Sequence, residues 1–439
     1  MTEFTVRSPK VLLPGPQVDL ATWPVVACDQ YTSQPAYWQQ TEANVGTQPS
    51  TLQLILPEVY LGAGDEERIV KIHEAMRDIV AKNLLVPYQG PICVERSSRG
   101  GHGMHTRHGI MVEVDLEQYD FSKGSQSMVR ATEGTIVDRI PPRIRVRSGA
   151  PLELPHVLLL FDDPANAVLG PILAAKEGAK VLYDCELMQD GGHITGRALT
   201  QAQSDHLFAA LQALADPKAF AAHYGLPADS PPLLFAVGDG NHSLATAKTW
   251  WQQVKATLAP EAQATHPARW ALVELINIHD PGLDFEPIHR VLFAVAQDIE
   301  AALHAAFGAN VLMTPADSTR LAAQVANHTG SQAVGLVTPA GAWLVEFLHP
   351  QANLAVGTLQ RFLDGWLAQG GAQGIDYVHG ADVTVDLGQK PGHAGFLLPA
   401  LDKGALFATV VHDGALPRKT FSMGEAWEKR YYLESRKIT

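Results

Sequence analysis

The stretch FAVGDGNHSLATAKTWW, residues 235–251, sets the strongest local constraint on how this chain folds. An apolar run ends in a polar turn with two glycines, and the apolar residues after it fall at helical spacing. A strand therefore delivers its end straight onto a helix start. The same alternation recurs along the chain. GDEERIVKIHEAMRDIVAKNLL places Ile69, Ile72, Met76, Ile79 and Val80 on one helical face. RHGIMVEVDLE, HVLLLFDDP, KVLYDCEL and RWALVELINI read as strands, rich in apolar and β-branched residues. NAVLGPILAAKEGA and QSDHLFAALQALAD read as helices. Further on, helices are expected at 294–306 and 318–327 and a strand at 310–314. AVGLVTPAGAWLVEFL reads as a hairpin with a Pro-Ala-Gly turn, and LQRFLDGWLAQ as a helix. The fold class is expected to be mixed α/β.

At 439 residues the chain exceeds one ordinary small domain. Three regions are expected: 1–165 with an arginine-rich motif, 166–280 with the GDGNHS turn, and 281–439, together forming two structural domains. The break between domains is expected in the 162–166 turn or near Pro281. The net charge of -13 repels nucleic acid and anionic membranes, so neither is an expected partner. A phosphorylated ligand then has to be held by local cations. Cys28, Cys93 and Cys185 lie far apart with no CxxC, which suits a reducing compartment. The segment MTEFTVRSPKVLLPG carries no signal-peptide core, and no apolar run approaches the roughly 20 residues a membrane span needs. The expectation is a cytoplasmic protein with a small-molecule substrate. Homo-oligomerisation is left open.

The opening turn holds Gly238, Asp239, Gly240, Asn241, His242 and Ser243. Glycine permits positive φ and close backbone approach. A helix start presents unbonded N–H groups and a partial positive charge, which together make an anion site. His242 can donate to phosphate or shuttle a proton. Asp239 suits a base, or a metal bridging to phosphate. A plainer reading is an N-cap by Asn241 or Ser243.

GSQSMVRATEGTIVDRIPPRIRVR, residues 124–147, is the densest basic segment, with Arg130, Arg139, Arg143, Arg145 and Arg147 beside Glu133, Thr135 and Asp138. Arginine forks match phosphate geometry; pairing with Glu133 and Asp138 is the alternative. NIHDPGLDFEPIHRVLF offers His289 and Arg290. Asp29 follows an apolar run, a position that often faces a site. His102, His105 and His108 in RGGHGMHTRHG invite a metal reading, although their spacing assures no common shell. No Walker A, GxSxG, HExxH or protein-kinase motif is present.

VGDGNHSLATAK, RATEGTIVDRIPPR, DPGLDFEPIHRVL, IDYVHG and LPRKTFSMGEA together resemble motifs of the domain of unknown function 1015 family, often called SerK-like, over nearly the whole chain. Its Asp-Gly-x-His turn is similar to the phosphate-binding turn of the ParB and sulfiredoxin superfamily. The resemblance implies such a phosphate-binding domain embedded in a larger mixed α/β chain. It also implies phosphoryl transfer to a small hydroxyl-bearing metabolite, with free L-serine as one acceptor and pyrophosphate, ADP or ATP as donor. The common form of the turn is Asp-Gly-His-His-Arg-Tyr-Glu. Here Asn241 replaces a histidine, Ser243 stands where arginine is usual, and Ala245 where glutamate is usual. The missing cation is therefore expected from Arg130, Arg139 or Arg290.

On this reading Gly238, Gly240, Asn241, Ser243, Arg130, Thr135, Arg139, His289 and Arg290 bind phosphate. Asp239, His242 and Glu133 act in catalysis, Asp239 holds magnesium, and Asp29 meets the acceptor. Two alternatives use the same turn: a nucleotide-binding regulatory module of the ParB kind, and a phosphatase or pyrophosphatase with water as acceptor. A hydrolase on His102, His105 and His108 is a further one.

Overall fold

The computed structural model describes residues 4–62, 64–100, 103–350 and 352–439. The chain divides into two compact units, residues 1–284 with 423–439, and residues 285–422. Residues 1–165 and 166–280 share the first unit because their strands interleave in one sheet.

That sheet is built from β1 (Val6–Arg7), β2 (Ile92–Gly100), β3 (Gly103–Asp115), β4 (Tyr119–Asp120), β5 (Val129–Ala131), β6 (Leu158–Phe161), β7 (Val181–Leu187), β8 (Gly192–Ala198), β9 (Phe235–Asp239) and β10 (Trp270–Asn277). Their order is β7-β8-β2-β3-β10-β6-β9-β5-β4, with β1 on β3. Most pairs are antiparallel, but β10 with β6, β9 with β5 and β5 with β4 run parallel. Every residue of β10 is buried, Glu274 and Asn277 included, as in a strand covered on both faces.

Three helices of this unit bear on the site: α1 (Asp65–Ala81), α2 (Ile140–Arg147) and α3 (Asn241–Lys255). In α1 the residues Ile69, Ile72, Met76 and Ile79 face the core, as their spacing requires. The arginine-rich segment is not one loop. Pro141 and Pro142 sit in the first turn of α2, where a missing N–H costs nothing.

The first unit closes with its C-terminal segment. Val26 bridges Tyr431, Ala27 N donates to Arg430 O, and Tyr432 N donates to Val25 O. This pairing sets residues 429–432 alongside Cys28 and Asp29.

The second unit is a six-stranded antiparallel sheet of β11 (His289–Val295), β12 (Val311–Pro315), β13 (Gln332–Thr338), β14 (Gly341–Phe347), β15 (Ala372–Val378) and β16 (His393–Leu397), ordered β12-β14-β13-β16-β11-β15. The expected hairpin is β13–β14. The helix expected at 294–306 begins only at Ile299, because β11 continues to Val295 and Asp298 caps the helix with its side chain. Among the described residues, no helix is long and apolar enough to cross a membrane.

Candidate functional site

The parallel pair β5 and β9 carries the two sequence motifs side by side. Their carboxyl ends lead into Thr132–Ile136 and into the GDGNHS turn, the place where parallel strands present ligand sites. Thr132 Oγ1 donates to Val237 O at 2.6 Å, and Ile136 N donates to His242 Nε2 at 3.3 Å. The second bond makes Nε2 the acceptor, so the neutral His242 ring carries its proton on Nδ1.

Gly240 turns the chain with φ +81, and α3 starts with no side-chain cap. A Cβ at Gly240 would lie 3.0 Å from Val157 Cα, so this position needs glycine for both conformation and space. Asp239 Oδ1 accepts from Gly240 N at 2.9 Å. Asn241 Oδ1 and Thr135 Oγ1 are buried without a hydrogen-bond partner. Buried polar atoms of that kind call for an explanation, and a bound ligand supplies one.

The cation at the turn is Lys429. Its Nζ lies 3.3 Å from Asp239 Oδ2, and the side chain is largely buried. Lys429 also acts on Asp29. Burial alone would raise the Asp29 carboxyl. His156, the Gln30 amide and Lys429 together hold it below its usual value. Asp29 Oδ2 stands 3.9 Å from His156 Nε2.

His156 reaches the site because β6 runs antiparallel to β9, which sets Leu158 opposite Asp239. Its Nε2 lies 2.7 Å from Ser243 Oγ, and its Nδ1 lies 2.9 Å from Tyr432 OH. Tyr432 OH accepts from Cys28 N at 3.1 Å. With its own hydrogen turned to Nδ1, the His156 proton sits on Nε2, toward Ser243 and Asp29. Burial first, then Asp29, pushes the Cys28 thiol up to about 12, so it is no nucleophile at neutral pH.

The structure distributes the other sequence candidates more widely. Arg130 is buried, and its guanidinium donates to Ser127 O, Pro231 O and Pro232 O. It braces the loop ahead of β9. Arg139 is exposed. Glu133 is half-buried in the Thr132–Ile136 turn. His289 and Arg290 belong to the second unit. There His289 Nδ1 accepts from Leu398 N, and burial with Arg290 lowers its pKa to about 4. Arg290 donates to Gln360, Ile288 O and Arg418 O and stacks on Tyr377. The charge assigned by sequence to Arg130 and Arg290 is thus bonded into the protein.

His102 lies outside the described residues. His105 pairs with Glu428 and His108 with Asp280, so these two share no shell. Among the described residues, no group of three or more His, Cys, Asp or Glu could hold a metal ion.

Sequence reasoning missed His156, Lys429 and Tyr432. The signal for His156 was its place just before the apolar run of β6. For the other two it was the density of charged and aromatic residues in EKRYYLESRK, which suits a buried segment better than a loose tail.

A family model described as protein of unknown function (DUF1015) matches residues 12–366. No curated protein matches the chain. Among solved structures, a free serine kinase in complex with AMP is 11% identical, with a TM-score of 0.36, over 75% of this chain and 91% of that one. A conserved hypothetical protein from Pyrococcus furiosus is 12% identical, with a TM-score of 0.34, over 75% and 95%. SbnI from Staphylococcus aureus is 9% identical, with a TM-score of 0.33, over 71% and 81%.

Proposed function

The chain belongs to the DUF1015 family, and from that premise we propose that it is a small-molecule kinase, moving a phosphoryl group from a nucleotide or pyrophosphate to a hydroxyl-bearing metabolite. The observation that supports this most is the uncapped start of α3 beside the buried Lys429. Phosphoryl transfer needs cations on the moving group, in-line placement and a group to take the acceptor proton. The N–H groups of Asn241, His242 and Ser243 with the helix dipole hold the donor phosphate. Lys429 neutralises charge and fills the role of the absent arginine.

Asp29 takes the acceptor proton. It is held ionised, as a proton acceptor must be, and lies beside Lys429 and His156. The acceptor oxygen bonds to phosphorus as the bridging P–O bond of the donor breaks. The donor leaves one phosphoryl group shorter, and the hydroxyl proton passes to Asp29. Magnesium held mainly by phosphate oxygens needs only one or two carboxylates, and Asp239 is the carboxylate placed to offer one. Such an ion would neutralise donor charge. Lys429 already sits on one Asp239 oxygen, so the turn is charge-balanced by the protein itself.

The test is a screen of ATP, ADP and pyrophosphate against L-serine and other small hydroxyl compounds, with and without magnesium. Transfer to any acceptor supports the reading. Phosphate release without an acceptor, or nucleotide binding with no turnover at all, overturns it in favour of a hydrolase or a regulatory module.

A further inference from the structure

The polar turn opens into an apolar cavity within the first unit. It measures about 170 Å³; Leu54, Met76, Leu152, Val157, Leu244 and Ala247 form much of its wall, and the ion pairs Arg143–Glu58 and Arg147–Glu153 also line it. Ser243, His156 and Tyr432 line it as well. A pocket whose wall is mostly apolar suits a compact apolar group.

Ser243, His156 and Tyr432 form a short hydrogen-bond chain. Tyr432 OH lies 2.9 Å from His156 Nδ1, and with the ring proton on Nε2 His156 donates to Ser243 Oγ at 2.7 Å. In that tautomer the ring makes no use of the Ser243 hydroxyl hydrogen, which can turn to a ligand oxygen. Neither the family motifs nor the kinase reading accounts for apolar walls next to this donor, since L-serine has no apolar body to fill them.

We propose that this cavity seats the body of the acceptor. The acceptor is then a compact alcohol with a branched aliphatic or aryl body, whose oxygen receives the Ser243 hydrogen bond beside Asp29. This rests on the kinase reading for the word acceptor, but not for the binding itself.

The experiment measures binding to the full chain with no phosphoryl donor present, by ligand-observed NMR and calorimetry. The probes are ethanol, 2-methylpropan-1-ol, 2-phenylethanol and ethylbenzene, with L-serine as polar reference. Affinity is expected to rise roughly fourfold for each added buried methylene. 2-Phenylethanol should bind at least about tenfold more tightly than L-serine. Ala247→Leu, which fills the cavity, should abolish the gain. Ser243→Ala should weaken 2-phenylethanol and leave ethylbenzene unchanged. A flat series across the wild-type probes overturns the proposal, whatever the variants do. So does binding of 2-phenylethanol that a folded Ala247→Leu protein retains. A chain that binds the series but transfers no phosphoryl group overturns the kinase reading and leaves the cavity assignment standing. A chain that phosphorylates L-serine and ignores the series does the reverse.

Discussion

Lys429 Nζ lies 3.3 Å from Asp239 Oδ2, which puts a buried ammonium at the start of α3 where the turn itself carries no cation. Asp239 is then neutralised, and the helix N-terminus keeps its affinity for an anion. Removing the charge while keeping the stem, as in Lys429→Met, is expected to weaken ADP and pyrophosphate binding at least about tenfold. Turnover should fall about a hundredfold or more, as when a preorganised charge is lost from a transition state. Asp239 retains partial exposure, so the melting temperature should move little. Calorimetry with ADP and a thermal melt check the two halves separately.

The direction of the bonds through His156 is a second testable point. Tyr432 OH accepts from Cys28 N and donates to His156 Nδ1, so the neutral ring should carry its proton on Nε2. Long-range nitrogen–proton NMR should find Nδ1 as the unprotonated nitrogen. In Tyr432→Phe that donor is gone, and the Nε2–H form should lose its dominance. Turnover should fall with it, because Ser243 is then free to donate to the ring instead of to a ligand.

The strand–turn–helix of residues 235–255 was legible because local periodicity and glycine placement determine it. The helix at Asp65–Ala81 and the hairpin β13–β14 were legible for the same reason. The site was legible only in part. Asp239 and His242 sit in one motif, but Ser243 meets His156 across 87 positions and His156 meets Tyr432 across 276. Such contacts follow from strand order: β6 beside β9 brings His156 in, and residues 25–27 against 430–432 bring in Tyr432 and Lys429. Arg290 misled for a related reason. An arginine after an apolar run resembles a phosphate ligand, yet here the run is buried on all sides and its guanidinium bonds to backbone carbonyls.

Gly240→Ala should be costly where a helix glycine ordinarily is not. The φ of +81 penalises any L side chain by about 1 kcal/mol, and the new Cβ would meet backbone at Val157 rather than a flexible side chain. A loss of about 2 kcal/mol in urea unfolding is expected, together with weaker ADP binding, because the α3 N–H groups would shift with the turn.

His289 makes the second unit sensitive to acid. Burial and Arg290 lower its pKa from 6.5 to about 4 in the folded state. Between those values the unfolded chain binds more protons. Stability is therefore full above pH 6.5 and falls as the pH drops toward 4, by at most about 3 kcal/mol. His289→Asn keeps an acceptor for Leu398 N and removes the titration, so its urea midpoint should vary less between pH 7 and pH 4.5.

Arg430 follows Lys429 in sequence but has the opposite role. Its guanidinium bonds to Glu274 on β10 and to Glu434, and all three side chains are almost wholly buried. Burial alone would lower its pKa, but Glu434 and Glu274 raise it, so the charge is retained. Arg430→Met leaves buried carboxylates without their counter-ion, a change that typically costs about 3–5 kcal/mol. It should lower the melting temperature sharply and release the 423–439 segment to proteolysis. Lys429→Met should do neither while lowering turnover about a hundredfold or more. If the two neighbours instead gave the same stability loss, Lys429 would be a packing residue like Arg430, and the anion site would have to draw its charge from elsewhere.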